Sequence, residues 1–199
     1  MFVLGITGGI ATGKTLVSNI LRRLGIEVIS ADEIVHNLYQ DPYYLKKIRE
    51  AFGDEVFDGE KLNRKKLGEL VFSSEENRKK INSIVHPAVL EIMRREIEGR
   101  KKEKGILALE IPLLFEVGIS DWFDEIWVVY APIEKQIERL IERDNLSYES
   151  AMSRIKAQLP IEEKIKRAHF VIDNSGSIEN TIKQVESRIE YINKICLTN

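Results

Sequence analysis

Residues 8–15 read Gly-Gly-Ile-Ala-Thr-Gly-Lys-Thr and lie between the apolar run Phe2 to Thr7 and a segment where Leu16, Val17, Ile20, Leu21 and Leu24 share one helical face. Gly8, Gly13, Lys14 and Thr15 fill the fixed places of the pattern G-x-x-x-x-G-K-[ST]. This octet constrains the fold because its chemistry needs a strand, a loop and a helix in that order. Glycines let the backbone turn its N–H groups inward as an anion nest, and the helix N-terminus adds the positive end of its dipole. Gly8, Gly9, Ile10, Ala11, Thr12, Gly13, Lys14, Thr15 and Leu16 are therefore the candidate ligands of a nucleoside triphosphate. Lys14 is placed to reach the β- and γ-phosphate oxygens, and the Thr15 hydroxyl to bind the Mg2+ that neutralises them.

Gly25 ends the first helix and Glu27 to Ser30 reads as a second strand, so residues 1–30 form one βαβ unit. Further apolar runs at Ile106 to Ile111, Glu125 to Tyr130 and His169 to Asp173 alternate with segments of helical period. That alternation predicts an α/β fold: a three-layer, parallel five-stranded P-loop NTPase or kinase core over 1–30 and 106–199. Residues 31–105 exceed what one crossover needs and carry helical patterns near 31–40, 42–52, 64–72, 75–84 and 88–103, which predicts a mostly helical insertion. Ile178, Ile182, Val185, Ile189 and Ile192 make one apolar stripe, expected to dock a terminal helix and too short for a dimerising coiled coil.

The chain has 199 residues with 30 Lys plus Arg against 32 Asp plus Glu, a net charge of −2 that gives no reason for bulk adhesion to nucleic acid or an anionic membrane. Arg94 to Lys104 is basic but diluted by Glu96, Glu98 and Glu103, and reads as a solvated helix end; nucleic-acid binding there would show steep salt sensitivity. A single cysteine, Cys196, allows no intrachain disulfide, and neither a signal peptide nor a membrane span is expected. A soluble cytoplasmic protein without an obligatory protein partner is the expectation. His36, His86 and His169 lack i,i+3 or i,i+4 partners, so no histidine metal site is expected, and no Ser/His/Asp set or reactive cysteine suggests nucleophilic catalysis.

The loop specifies a nucleoside triphosphate but not its use. No N-K-x-D guanine reader occurs, and Asp173-Asn174-Ser175-Gly176 matches D-x-x-G only at the end of the last strand, too late for a switch element. Glu110 is the nearest candidate for a Walker-B carboxylate. A small-molecule kinase fits a short chain with a large helical insertion, against a nucleoside or nucleotide kinase of the same architecture and a non-catalytic, ATP-gated regulatory protein. Asp32 ends strand two, at the sheet rim where ligands bind and expected beside the phosphate loop; it can accept or aim the proton of an attacking hydroxyl. A structural alternative is a Ser30/Glu33 capping box with Asp32 complementing the helix dipole. Lys135, Arg139 and Arg143 recur at four-residue steps; they either close over the triphosphate or pair along a solvated helix, as Arg139 with Glu142. Ser147 is placed to cap a helix from Tyr148 to Ala157 that carries Arg154 and leads into Gln158, giving the helix, break and helix of a hinged lid over 139–160. His86 precedes Pro87, which suits a helix start and puts His86 near a cap.

Several of these segments resemble the dephospho-coenzyme A kinase family: Ile6 to Thr15, Ala31-Asp32, Val85-His86-Pro87, Ile111-Pro112-Leu113-Leu114-Phe115-Glu116, Arg139 with Arg143-Asp144, Ala151 to Gln158, and Ile172 to Gly176. The loop is common to many kinases, whereas the Pro-Leu-Leu-Phe-Glu run with His-Pro and Ala-Asp is far more specific. The resemblance implies ATP-dependent phosphorylation of the ribose 3′-hydroxyl of dephospho-coenzyme A, on a fold like that of nucleoside monophosphate kinases, with the insertion as acceptor-binding domain. It implies that Asp32 is the base or orienting carboxylate, that Lys14 and the 11–16 backbone hold ATP, and that Arg139 belongs to the lid. Asn174 would then lie near the adenine, and His86 with Pro112, Leu113 and Glu116 would face the acceptor. Ser30 stands where the family often has Asp, and Ala-Thr-Gly-Lys-Thr where Gly-Ser-Gly-Lys-Ser is common; Thr15 retains the hydroxyl.

Overall fold

The computed structural model describes residues 1–197; the side chain of Cys196, expected to be an unpaired thiol, lies outside the described residues. The chain divides into two compact units, one of residues 1–29 with 100–199, the other of residues 30–99.

The first unit begins with β1 (Phe2–Gly8), α1 (Lys14–Arg23) and β2 (Glu27–Ser30). The second unit holds α2 (Ala31–Leu38), α3 (Pro42–Phe52), the short strands β3 (Phe57–Asp58) and β4 (Lys61–Leu62), α4 (Arg64–Ser73) and α5 (Glu75–Gly99). The first unit then resumes with β5 (Ile106–Glu110), β6 (Glu125–Tyr130), α6 (Ile133–Asp144), α7 (Tyr148–Lys156), α8 (Ile161–Lys166), β7 (Phe170–Asp173) and α9 (Ile178–Leu197).

Five strands form a parallel sheet in the order β2-β5-β1-β6-β7. Strand β1 is central, with Leu4 opposite Ala108 on one side and Glu125 on the other. A strand covered on both faces has no solvent side, which explains why β1 is buried from Val3 to Gly8 and reads as a continuous apolar run. Because β5 lies between β1 and β2, strand two is not the neighbour of the loop-bearing strand, as its place in the sequence suggested.

Leu4, Ile6, Trp127 and Val129 pack with Val17, Ile20 and Leu21 of α1 and with Val185, Ile189 and Ile192 of α9 in one core. The α9 stripe thus docks as expected, except that Ile178 in its first turn is 57% exposed. Below Trp127, whose indole N–H donates to Glu125 Oε1 at 2.6 Å, Arg188 of α9 grips the same carboxylate through two bonds of 2.8 Å. Glu125 is 6% exposed, so this bidentate pairing supplies the partner that a buried carboxylate requires.

In the second unit the hairpin β3–β4 lies within the insertion expected to be mostly helical. Its connection is Gly59-Glu60 with Gly59 at φ 63°, a value that a two-residue hairpin favours at its first central position. Two-residue strands are too short to show a period. The expected helices 75–84 and 88–103 are one helix, α5, with Pro87 inside it, so His86 is not near a cap. Ile81, Val85, Val89, Met93 and Ile97 form an unbroken inward stripe through the proline, while Pro87 and Ser83, whose carbonyl loses its helical donor, are exposed to water. Burial on one face outweighs a lost hydrogen bond on the other. Ser30 is the N-cap of α2, but its side chain makes no capping hydrogen bond, so the capping box does not form. Replacing Pro87 with Ala restores an N–H to the solvated face; we expect unfolding in urea to require about 1–3 kcal/mol more free energy, and an unchanged or lower midpoint would show that the ring is needed for packing.

Candidate active site

The loop leaves β1 at Gly8 and enters α1 through Gly13, whose φ of 100° is a left-handed conformation. A Cβ on Gly13 would lie 2.0 Å from Asn174 Nδ2, and one on Gly8 would lie 2.5 Å from Val129 O. Both fixed glycines of the octet are therefore required by close approach of other segments. Within the loop, Lys14 Nζ donates to Gly9 O at 2.7 Å and Thr12 Oγ1 to Gly9 O at 3.0 Å. Ala11 holds φ at 58°, a position that costs a non-glycine residue about 1–3 kcal/mol and persists only where neighbours over-determine it.

Those neighbours are on α6, α7 and the end of β7. Arg139 Nη1 donates to Ala11 O at 3.1 Å and Thr12 O at 3.2 Å, and its Nη2 to Asn174 O at 2.9 Å. The guanidinium thus gathers backbone oxygens on the carbonyl side of the loop, and the expected alternative, an Arg139–Glu142 pair, is not what engages it. Asn174 is 5% exposed; its Nδ2 donates to Thr12 O at 2.8 Å and its Oδ1 accepts from Thr181 Oγ1 at 2.9 Å. Asn174 is thus a brace under the loop. Ile10 and Ala11 pack against a small cluster of Ile137, Leu140 and Ala151, with Leu146, Met152 and Ile155 around it.

Arg143, expected at the nucleotide, makes a bidentate pair with Asp144 at 2.8 and 2.9 Å on a side chain 62% exposed. Arg154 also donates to Asp144 at 3.3 Å, and the Arg143 hydrogen bond holds that carboxyl below its ordinary range. Between the helices Asn145 is left-handed at φ 51°, and the Ser147 hydroxyl caps α7 by accepting from Ser150 N at 3.2 Å.

At the end of β5, Glu110 is buried and its Oε2 accepts from Ser18 Oγ of α1 at 2.7 Å. The turn that follows carries Pro112, Leu113 and Glu116. Thr7 Oγ1 donates to Pro112 O at 3.1 Å, tying this turn to β1. Lys164, fully buried in α8, donates to Pro112 O at 2.8 Å and meets Glu116 Oε1 at 2.9 Å. Burial pushes the Lys164 ammonium below its ordinary range, and the hydrogen bond to Glu116 opposes that shift. Sequence reading passed over Lys164 within Ile-Glu-Glu-Lys-Ile-Lys, although its place three residues after buried Ile161 puts it on the inward stripe. It also missed Gln136, 1% exposed, whose Nε2 donates to Ala131 O at 2.8 Å and whose Oε1 limits the space at Gly9.

Asp32 and His86 belong to the second unit. Asp32 is exposed in the first turn of α2, where a carboxylate complements the helix dipole. His86 is half-buried in α5, and burial pushes its imidazole below the ordinary value. Among the described residues no group of three or more His, Cys, Asp or Glu side chains could hold a metal ion, and Thr15 is an exposed residue in the first turn of α1. Gly13→Ala forces a methyl group into Asn174; we expect stability to fall by about 1–3 kcal/mol and nucleotide affinity to fall with it, and an unchanged melting curve would refute the close approach.

The sequence profile of dephospho-CoA kinase matches residues 2–180. A dephospho-CoA kinase of Carboxydothermus hydrogenoformans is 46% identical over 189 residues, covering 92% of this chain and 90% of that protein. Among solved structures, a Thermus thermophilus protein superposes with a TM-score of 0.79 at 33% identity, and dephospho-CoA kinase from Campylobacter jejuni with 0.65 at 31% identity. Each alignment covers 96% of both chains. With its strand, loop and helix built as the octet requires, the chain belongs to the dephospho-CoA kinase family.

Proposed function

We propose that the chain transfers the γ-phosphoryl group of ATP to the ribose 3′-hydroxyl of dephospho-coenzyme A, giving coenzyme A and ADP. The observation that carries this reading is the phosphate loop braced from behind by Arg139 and Asn174, in a chain of this family. Residues 8–16 hold the triphosphate through backbone N–H groups, with Lys14 exchanging the Gly9 carbonyl for β- and γ-phosphate oxygens. The acceptor oxygen forms a bond to Pγ as the bond from Pγ to the β-bridging oxygen breaks, and the electron pair leaves with ADP. Asp32 accepts or orients the hydroxyl proton. Arg139, on the helix before the Asn145 break, steadies the loop as charge moves, and residues 139–160 act as a lid.

The donor set suits Mg2+, which prefers one or two protein oxygens plus phosphate and water: Thr15, an exposed residue directly after the loop, carries a hydroxyl that would serve as such an oxygen. Bound there with ATP, the ion would neutralise phosphate charge. His86, Pro112, Leu113 and Glu116 serve the acceptor. No helix among the described residues is long and apolar enough to cross a membrane, and we place the activity in the cytoplasm.

Incubation with magnesium-ATP and a panel of acceptors tests the assignment. We expect 3′-phosphorylated product from dephospho-coenzyme A; its absence, with turnover of a nucleoside instead, would overturn the assignment. Lys14→Ala should lower kcat/KM by about 10³-fold or more, and near-normal turnover would refute the role of the loop. Asp32→Asn should cost about 10²- to 10⁴-fold in kcat with nucleotide affinity preserved, whereas unchanged turnover would assign Asp32 to helix capping alone.

A further inference from the structure

Lys164 is the one fully buried cation among the described residues, and the proposed chemistry does not use it. Its ammonium has three N–H donors and meets three oxygens: Pro112 O at 2.8 Å, Glu116 Oε1 at 2.9 Å and Gly8 O at 3.4 Å. These oxygens belong to different segments. Gly8 starts the phosphate loop; Pro112 and Glu116 bound the turn after β5. Glu116 Oε1 also accepts from Leu159 N at 3.0 Å, so the same carboxylate anchors the chain between α7 and α8.

A purely structural site does not require this arrangement. Burying an ammonium costs several kcal/mol, and packed apolar residues in place of both partners of a buried ion pair are often at least as stable. A lysine at this point does what an apolar residue cannot: it holds the carbonyl oxygens of two loops and a carboxylate around a single charge. The grip is also uneven, since the two shorter contacts fall on the 112–116 turn and the longest on Gly8.

We propose that Lys164 is a positioning residue that fixes the Pro112–Glu116 turn against the start of the phosphate loop, and so sets the geometry of acceptor binding more than that of ATP binding. This rests on the reading that the 112–116 turn serves dephospho-coenzyme A. Because Lys164 acts through Pro112 and Glu116, its loss is felt first by the acceptor. Removing the charge loosens the turn, whereas the loop keeps Arg139, Asn174 and Thr12 as braces.

The test compares wild type, Lys164→Met and Lys164→Gln in steady-state assays varying each substrate, with a thermal melt of each protein. The wild type must first convert dephospho-coenzyme A; if it does not, the functional reading fails, not the role of Lys164. Given wild-type turnover, Lys164→Met should raise KM for dephospho-coenzyme A by about tenfold or more while KM for magnesium-ATP moves less than about threefold. Lys164→Arg, which keeps the charge, should recover part of the loss. Parallel changes in both KM values, or none, would overturn the proposal. If Lys164→Met does not fold, Lys164→Gln, which removes the charge but keeps an N–H donor beside Glu116, should show the same acceptor-selective defect; failure of both to fold would make Lys164 structural and also overturn the proposal.

Discussion

A loop that turns its amides toward an anion sends its carbonyl oxygens the other way, and a buried carbonyl without a donor costs about 1–3 kcal/mol. Arg139 meets that demand at Ala11 and Thr12 and extends the same guanidinium to Asn174 O, while Asn174 Nδ2 adds a second donor to Thr12. Much of the first unit is arranged to deliver these two side chains. Helix α6 lies where Ile137 and Leu140 bury against Ile10 and Ala11, which puts Arg139 on the flank of that stripe. β7 ends where its chain can turn Asn174 under the loop, with Thr181 of α9 holding the amide's other end. The nest thus draws on three regions of the chain that are far apart in sequence.

The central place of β1 imposes a second constraint. Parallel pairing with β6 sets Gly8 opposite Val129, so the first loop residue meets a neighbouring carbonyl that leaves no room for a Cβ. On the other side, β5 ends at Glu110, which reaches Ser18 in the helix after the loop. Strand pairing and loop geometry are therefore one problem: a shift of register in either neighbour would move a group that the loop depends on.

How legible this was from sequence depended on whether a feature is local. The octet, the apolar runs of β1, β5 and β6 and the docked face of α9 carry their own periodicity or spacing, and each marks its element. Pro87 misled because its helix-starting signal is local, whereas the stripe from Ile81 to Ile97 that overrides it acts through burial in the whole unit. Lys164 and Gln136 carry polar side chains at inward positions, and their partners, Pro112 O and Ala131 O, are backbone atoms that leave no trace in residue identity. Arg139 was expected in a lid, but its bond to the loop carbonyls was not legible, since an arginine four residues from two other cations is equally consistent with a solvated face.

What holds a cation decides whether it can be given to a phosphate. Lys14 donates here to the neutral carbonyl oxygen of Gly9, and exchanging that acceptor for a phosphate oxygen turns a hydrogen bond with one charged partner into a pairing of opposite charges. Arg143 is bonded on both arms to Asp144, so its transfer would break a bidentate ion pair and leave a carboxylate beside the incoming negative charge. The exchange therefore disfavours Arg143. In a chain whose net charge is −2, recognition of a polyanion thus depends less on how many basic residues it carries than on which of them are already committed to an acid, as Arg143 is.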